Sequence, residues 1–352
     1  MRQVRALALL LGSAGLACAF AITAFAQNYE KFTVTSSDRD LAKSARITRH
    51  AMASRTDKGK LLWNQKEIAP SGGVTRGESG IVTPGEGGGG FVDRYPGTLQ
   101  NHGGHVLVNT TSHAVFVNPT TACPPNKCWG DPIGFLNDVG KSDFIHLVDQ
   151  YVGVYYDGRY PNGQNYAGSV PPPAPAYTDD DMAAIAHSVA VQTGQHGYGH
   201  VFHIFLTPGT DVCSDSTFSQ CYSPDNFNTF YFCAYHSSAV FSDIGEVVYS
   251  VEPYQNVTGC SVRPGTPNGM LVDSTNDVLS HEMIESITDP DGTAWWNGTS
   301  NALYGQEVAD ECSFVTFVNH NGYGDPSLVV LNGKMYAIQP EYSNSARACV
   351  TQ

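Results

Sequence analysis

Long apolar runs are scarce in this chain. After residue 26 no segment approaches the ~18 consecutive apolar residues that a helical span needs, which excludes a membrane span in a mature chain. Basic side chains are also few, 19 Lys and Arg against 33 Asp and Glu, for a formal net charge of −14. Such a surface repels phosphate, so nucleic acid and anionic membranes are excluded as partners, while cation binding is favoured. No C-x2-C pair is present, so a four-cysteine zinc site lacks its usual spacing. There is no G-x-S-x-G elbow and no unpaired cysteine is implied after residue 26, which leaves serine-esterase and thiol mechanisms without support. Internal repeats are absent as well.

What the chain does have begins with its first 26 residues. Arg2 and Arg5 precede an apolar stretch that ends in Ala24-Phe25-Ala26. That order reads as a signal peptide cleaved before Gln27. Gly12, Ser13 and Gly15 interrupt the stretch, which argues against a permanent anchor, and Gly15 is a poor residue three places before a lipidated Cys18. The expected location is secreted or periplasmic. Eight cysteines follow, an even number that suits an oxidising compartment. Cys123 and Cys128 flank a tight loop; Cys213 with Cys221, Cys233 with Cys260 and Cys312 with Cys349 are the further expected pairs, although spacing alone does not fix connectivity.

The organisation expected is a signal peptide over 1–26, a flexible polar and Gly-rich leader over 27–94 and one domain over 95–352. Strands are expected at 105–109, 114–118, 200–206 and 246–251, with further short ones near 328–331 and 335–338. Helices are expected at 143–151, at 179–191 and at 275–287. Thr178 with Asp181, and Ser274 with Asp277, each have the spacing of a capping box. Asp289-Pro290 and Asp291-Gly292 then stop the third helix. This mixture predicts an α+β class, a single zincin-like domain with a mixed sheet, an active-site helix and disulfide staples.

The third helix carries the chemistry. At ~100° per residue, Leu279, Met283, Ile284 and Ile287 share an apolar arc, while His281 and Glu285 stack four apart on another side with Glu282 beside them. Two ligands at i and i+4 can reach one ion from a rigid helix, and a glutamate next to the first can take a proton from metal-bound water. His281-Glu282-Met283-Ile284-Glu285 resembles the H-E-x-x-H helix of zincin metallopeptidases, with Glu in the second ligand position. A third ligand is needed. Glu307 is expected to supply it, and Asp310 to orient His281, by resemblance to the glutamate-ligand branch of zincins; Asp310 as a direct ligand is the alternative. Zinc is the expected cofactor. Two carboxylates and one imidazole also suit manganese or calcium.

A second resemblance spans scattered motifs over 95–350. His102-Gly103-Gly104-His105, Tyr198-Gly199-His200, Cys233-Ala234-Tyr235-His236, the run from Asn268 to Asp273, Ser280-His281-Glu282, Thr288-Asp289-Pro290 and the run from Glu307 to Cys312 are similar in order to the phosphate-induced (exordium-like) family. Plant members of that family are implicated in cell-wall and growth responses. The resemblance implies an extracellular place and either a peptide or cell-wall substrate, or a non-catalytic cell-wall or surface-binding role.

Other polar residues have simpler expectations. His200 and His203, three apart on a strand, face opposite ways and do not share a metal. His236 is read as a loop residue able to enter the cleft. Asp289 and Asp291 belong to the helix stop, with calcium binding as the alternative. Asp179, Asp180 and Asp181 favour a helix N-terminus. Trp295 and Trp296 either line a substrate groove or pack.

Overall fold

The computed structural model describes residues 29–53, 98–171, 174–299, 303–317 and 326–352. The expected signal peptide and the Gly-rich run at 77–90 lie outside the described residues. Among the described residues, no helix is long and apolar enough to cross a membrane.

The frame is a seven-stranded sheet: β1 (Glu30–Phe32), β2 (Arg46–Ala53), β3 (Thr111–Val117), β4 (Tyr166–Gly168), β5 (Gly197–Phe205), β6 (Phe232–Phe241) and β7 (Gly245–Glu252), in spatial order β1-β4-β3-β5-β7-β6-β2. The first five in that order are parallel; β6 and β2 join antiparallel at one edge. The sheet is therefore mixed and the class α+β, as expected. Helices α1 (Ser36–Ser44) and α3 (Asp179–Thr193) pack together over one face, sharing a core with Phe202, Ile204, Tyr249 and Val251. On the other face lie α2 (Pro132–Val139) and α4 (Met270–Thr288), with Phe116, Phe205, Leu279 and Ile284 at their core. The expected apolar arc of α4 is all in that second core.

Several expectations need correction. Residues 29–53 are not a leader: β1 pairs with β4, β2 pairs with β6 along most of its length, and α1 packs on α3. The stretch is short of apolar residues because its strands lie at the two sheet edges. α1 starts from a capping box made by Thr35 and Asp38. The Cys- and Tyr-rich segment before residue 246 is not only a loop, because it contains β6. That strand is buried on both faces and so shows no polar–apolar alternation. Residues 105–109 form no strand, and the stretch from 143 is a 3-10 helix followed by one α-turn, Asp149–Val152. The helix around His281 begins at Met270, not 275. Ser274 lies inside it, and its hydroxyl accepts from the Val262 N–H.

Cysteine pairing follows expectation at all four places: Cys123–Cys128, Cys213–Cys221, Cys233–Cys260 and Cys312–Cys349. Cys233–Cys260 ties the start of β6 to the segment before α4, and Cys312–Cys349 ties α5 (Asp310–Phe317) to the C-terminal strand Ala348–Val350.

Register aligns polar residues in one row across the sheet: His50 opposite His236, His236 opposite Ser250, and Ser250 opposite His203. His203 is fully buried, with Nδ1 2.8 Å from Ser250 Oγ and Nε2 3.2 Å from Ser112 Oγ. Because Ser250 Oγ donates to Glu252 (2.7 Å), His203 Nδ1 carries the proton and Nε2 accepts. Burial drives the His203 imidazole down from 6.5 to about 3. A folded-state value below the unfolded one means that stability present above 6.5 is lost as pH falls toward 3. Wild type should therefore lose about 1.4 kcal/mol per pH unit relative to His203→Gln below pH 6.5. Urea unfolding of both proteins between pH 4 and 8 measures this, and a difference that stays flat with pH refutes it.

Candidate metal centre

α4 is polar along one stripe and still buried on every side from Asp273 onward. Asp273, Asp277, His281, Glu285 and Asp289 recur every fourth residue, and each is at most 1% exposed. The helix can bury this stripe because the sheet covers one side and the hairpin Ser327–Leu331/Lys334–Ile338 covers another. At its N-terminal end the stripe is satisfied conventionally: Asp273 accepts from the Asn268 backbone N–H (2.9 Å) and from Asn268 Nδ2 (2.8 Å).

Around His281 it is not conventional. Glu285 Oε1 accepts two backbone N–H groups, from Ala309 (3.2 Å) and Asp310 (3.0 Å). That anchor turns Oε2 toward two imidazoles, 3.2 Å from His281 Nε2 and 3.5 Å from His236 Nδ1. Asp310 Oδ1 lies 3.8 Å from His281 Nε2. His236 Nε2 is 3.1 Å from the Asp289 carbonyl oxygen, which can only accept, so Nε2 holds the proton and Nδ1 presents a lone pair. Yet that lone pair faces two carboxylates, Glu285 and Glu282 Oε2 at 3.4 Å, and Nδ1 makes no hydrogen bond among the described residues. Neither Glu282 oxygen makes one either. Acceptors turned toward one another in a closed interior require a proton or a cation between them.

The ligand atoms form two groupings, each within 4.8 Å: His281, Glu285 and Asp310, and His236, Glu285 and Glu307. The expected set is therefore divided. His281 and Glu285 meet as the helical spacing requires. Asp310, expected to orient His281, is grouped with His281 and Glu285 at ligand spacing, at the first residue of α5. Glu307 lies on the far side of Glu285, with Oε1 3.7 Å from His236 Nε2 and Oε2 3.1 Å from His50 Nδ1. On the other side of the His281 ring lies Gln339. Its Nε2 donates to the Ala309 carbonyl (2.7 Å), and its amide meets His281 Nδ1 through Nε2 at 3.2 Å and Oε1 at 3.5 Å. A cation on His281 Nε2 places the ring proton on Nδ1, where Gln339 Oε1 is the acceptor at hand.

Electrostatics shows how many charges are compressed here. Burial opposes the His236 imidazolium, but Glu307, Glu282 and Glu285 hold its pKa well above the ordinary value. Against the same opposition, Glu285 pushes His281 up to about 9. Burial and then Glu282 raise Glu252 to about 8. Glu282, Asp289 and Glu341 are raised, chiefly by burial. Burial also works to raise Glu307, but His50 beside it holds it below the ordinary carboxylate range.

Sequence reasoning missed His50, Glu252, Gln339 and Glu341, and read His236 as a loop residue. Only His236 carried a signal, its place directly after the apolar run Phe230–Tyr235. Gly292, at φ +67°, lets the loop after α4 press against the His50 ring; a Cβ there would lie 2.0 Å from Nε2. The remaining candidates are accounted for by packing. His200 and His203 do face opposite ways, His200 meeting His113 at 3.0 Å. Asp289 Oδ1 caps the Ala294 N–H (2.6 Å), and Asp291 accepts from Tyr198 (3.0 Å). Trp295 donates to the Tyr151 carbonyl, and Trp296 stacks on His102. Comparison with protein-family models, curated proteins and solved structures gives no match.

Proposed function

We propose that the chain is an exported metal-dependent hydrolase of zincin-like type, with a divalent cation on His281, Glu285 and Asp310 and with Glu282 as general base. One observation carries this reading: imidazole and carboxylate side chains from α4 and the first residue of α5 meet at ligand spacing, beside a buried Glu282 whose oxygens have no hydrogen-bond partner among the described residues. Zinc accepts both ligand types, and the second carboxylate extends the choice to manganese or calcium. Such an ion lowers the pKa of a bound water and polarises a carbonyl. The chain's own residues do the rest. The Ala309 and Asp310 N–H groups fix Glu285, Gln339 orients His281, and Glu282 takes the proton. The zincin-like helix favours a peptide bond as substrate, the exordium-like motifs a cell-wall polymer. Four disulfides support export.

A second reading is favoured by closure. His281, Glu282, Glu285 and Glu307 are all 0% exposed. Hydrolysis requires this site to open, whereas a structural cation in a non-catalytic cell-wall or surface-binding protein does not. Elemental analysis after exhaustive dialysis tests what both readings share: at least one divalent ion per chain is expected, and none at all ends both. Peptide cleavage that disappears on chelation and returns with zinc separates the hydrolase from the binding protein.

A further inference from the structure

The centre has one feature that a single-ion site does not need. Its two groupings share Glu285, and the same Glu285 oxygen, Oε2, is the one that approaches both imidazoles. Oε1 is occupied by the Ala309 and Asp310 N–H groups, so the carboxylate cannot bridge through both oxygens. Oε2 alone faces His281 Nε2 at 3.2 Å and His236 Nδ1 at 3.5 Å. Each imidazole is grouped with its own carboxylate, His281 with Asp310 and His236 with Glu307, whose Oε1 approaches the Nε2 side of the ring at 3.7 Å. His236 has the tautomer a ligand requires, its Nε2–H being held by the Asp289 carbonyl and its buried Nδ1 being without a hydrogen bond among the described residues.

We propose that this is a two-cation centre, in which Glu285 Oε2 bridges one divalent ion on His281 and Asp310 and a second on His236 and Glu307. A single oxygen bonded to both ions holds them roughly 3.5–4 Å apart, the usual separation in two-metal hydrolytic sites. The second ion also answers the charge problem. Glu252, Glu282, Glu285, Asp289, Glu307, Asp310 and Glu341 are all buried at 1% exposure or less, against three histidines. His50, stacked on His236 with ring centroids 5.4 Å apart, holds Glu307 by its other oxygen and so orients it toward the second ion. The inference rests on the metal-centre reading above and adds the second ion to it.

The test loads the metal-stripped full-length protein with Mn²⁺ and reads stoichiometry and the electron paramagnetic resonance spectrum together. Two ions per chain with an exchange-coupled spectrum are expected. One ion with an isolated six-line spectrum overturns the second cation and leaves the single-ion reading standing. No retained ion overturns both. His236→Gln, which preserves polarity and approximate volume, should fall from two ions to one with the coupling lost; two coupled ions in that variant would also overturn the assignment. Far-ultraviolet circular dichroism of the same samples shows whether each variant is folded.

Discussion

Glu282→Gln is expected to lower hydrolysis by 10²–10⁴-fold, the usual contribution of a positioned general base, while leaving metal content unchanged. The asymmetry follows from geometry. Glu282 belongs to neither ligand grouping, so its charge can be removed without withdrawing a ligand. Its carboxylate is nevertheless inside the cluster, with Oε2 3.4 Å from His236 Nδ1 and both oxygens without a hydrogen bond among the described residues. Gln has nearly the same shape, so the cavity stays filled, and its amide cannot accept a proton at neutral pH. The measurement is kcat on a cleaved peptide, with metal quantified in the same preparation. Activity within threefold of wild type removes Glu282 from the mechanism. A parallel loss of metal recasts it as a ligand.

Stripping the cation should cost the fold about 4 kcal/mol under conditions where free metal stands a thousandfold above its dissociation constant. For a chain of this size that is a fall in Tm on the order of 10 °C. The effect is large because the carboxylates around His281 cannot rehydrate while the sheet, α4 and the Ser327–Leu331/Lys334–Ile338 hairpin remain closed over them. Deprived of a cation, they must take up protons. Glu252 is raised to about 8, and Glu282, Asp289 and Glu341 are raised as well. Folded-state values above the unfolded value of 4.5 give stability that is complete below that pH and is lost as pH climbs through about 8. The metal-free protein should therefore melt at a progressively lower temperature from pH 5 to 9, and the loaded protein should not follow it. Calorimetric scans with and without chelator across that range measure this. Coincident curves would mean that no cation contributes to folding.

How much of this arrangement was legible beforehand differs from element to element, for physical reasons. α4 was legible because two periodicities coincide in it: the apolar arc of Leu279, Met283 and Ile287, and the four-residue spacing of His281 and Glu285. Its first turn was not, because Ser274 and Asp277 imitate a helix start while lying inside the helix. The Thr178–Asp181 box was read correctly since nothing competed with it. Cysteine pairing was legible where the partners are near in sequence, and held at the wider separations of 27 and 37 residues too. β6 was obscured by burial on both faces, which erases alternation, and with it the role of His236. No local pattern could reveal His50 or Gln339. His50 reaches Glu307 only because β2 pairs with β6 at the far edge of the sheet, more than 180 positions away along the chain. The division of the ligands between two groupings depends on Glu285 being held by the backbone of residues 309 and 310, which no spacing rule anticipates.

β2 lies at the open margin of the sheet, and this constrains any proteolytic trimming of the chain. A protease that trimmed the polypeptide past residue 53 would take away a paired strand together with the His50 imidazole. The backbone of β6 would then be bare along its length, a ready template for intermolecular strand addition and aggregation. A cleavage compatible with the folded state would therefore either fall before Glu30 or leave the excised piece bound non-covalently, like the short chain of a nicked zymogen.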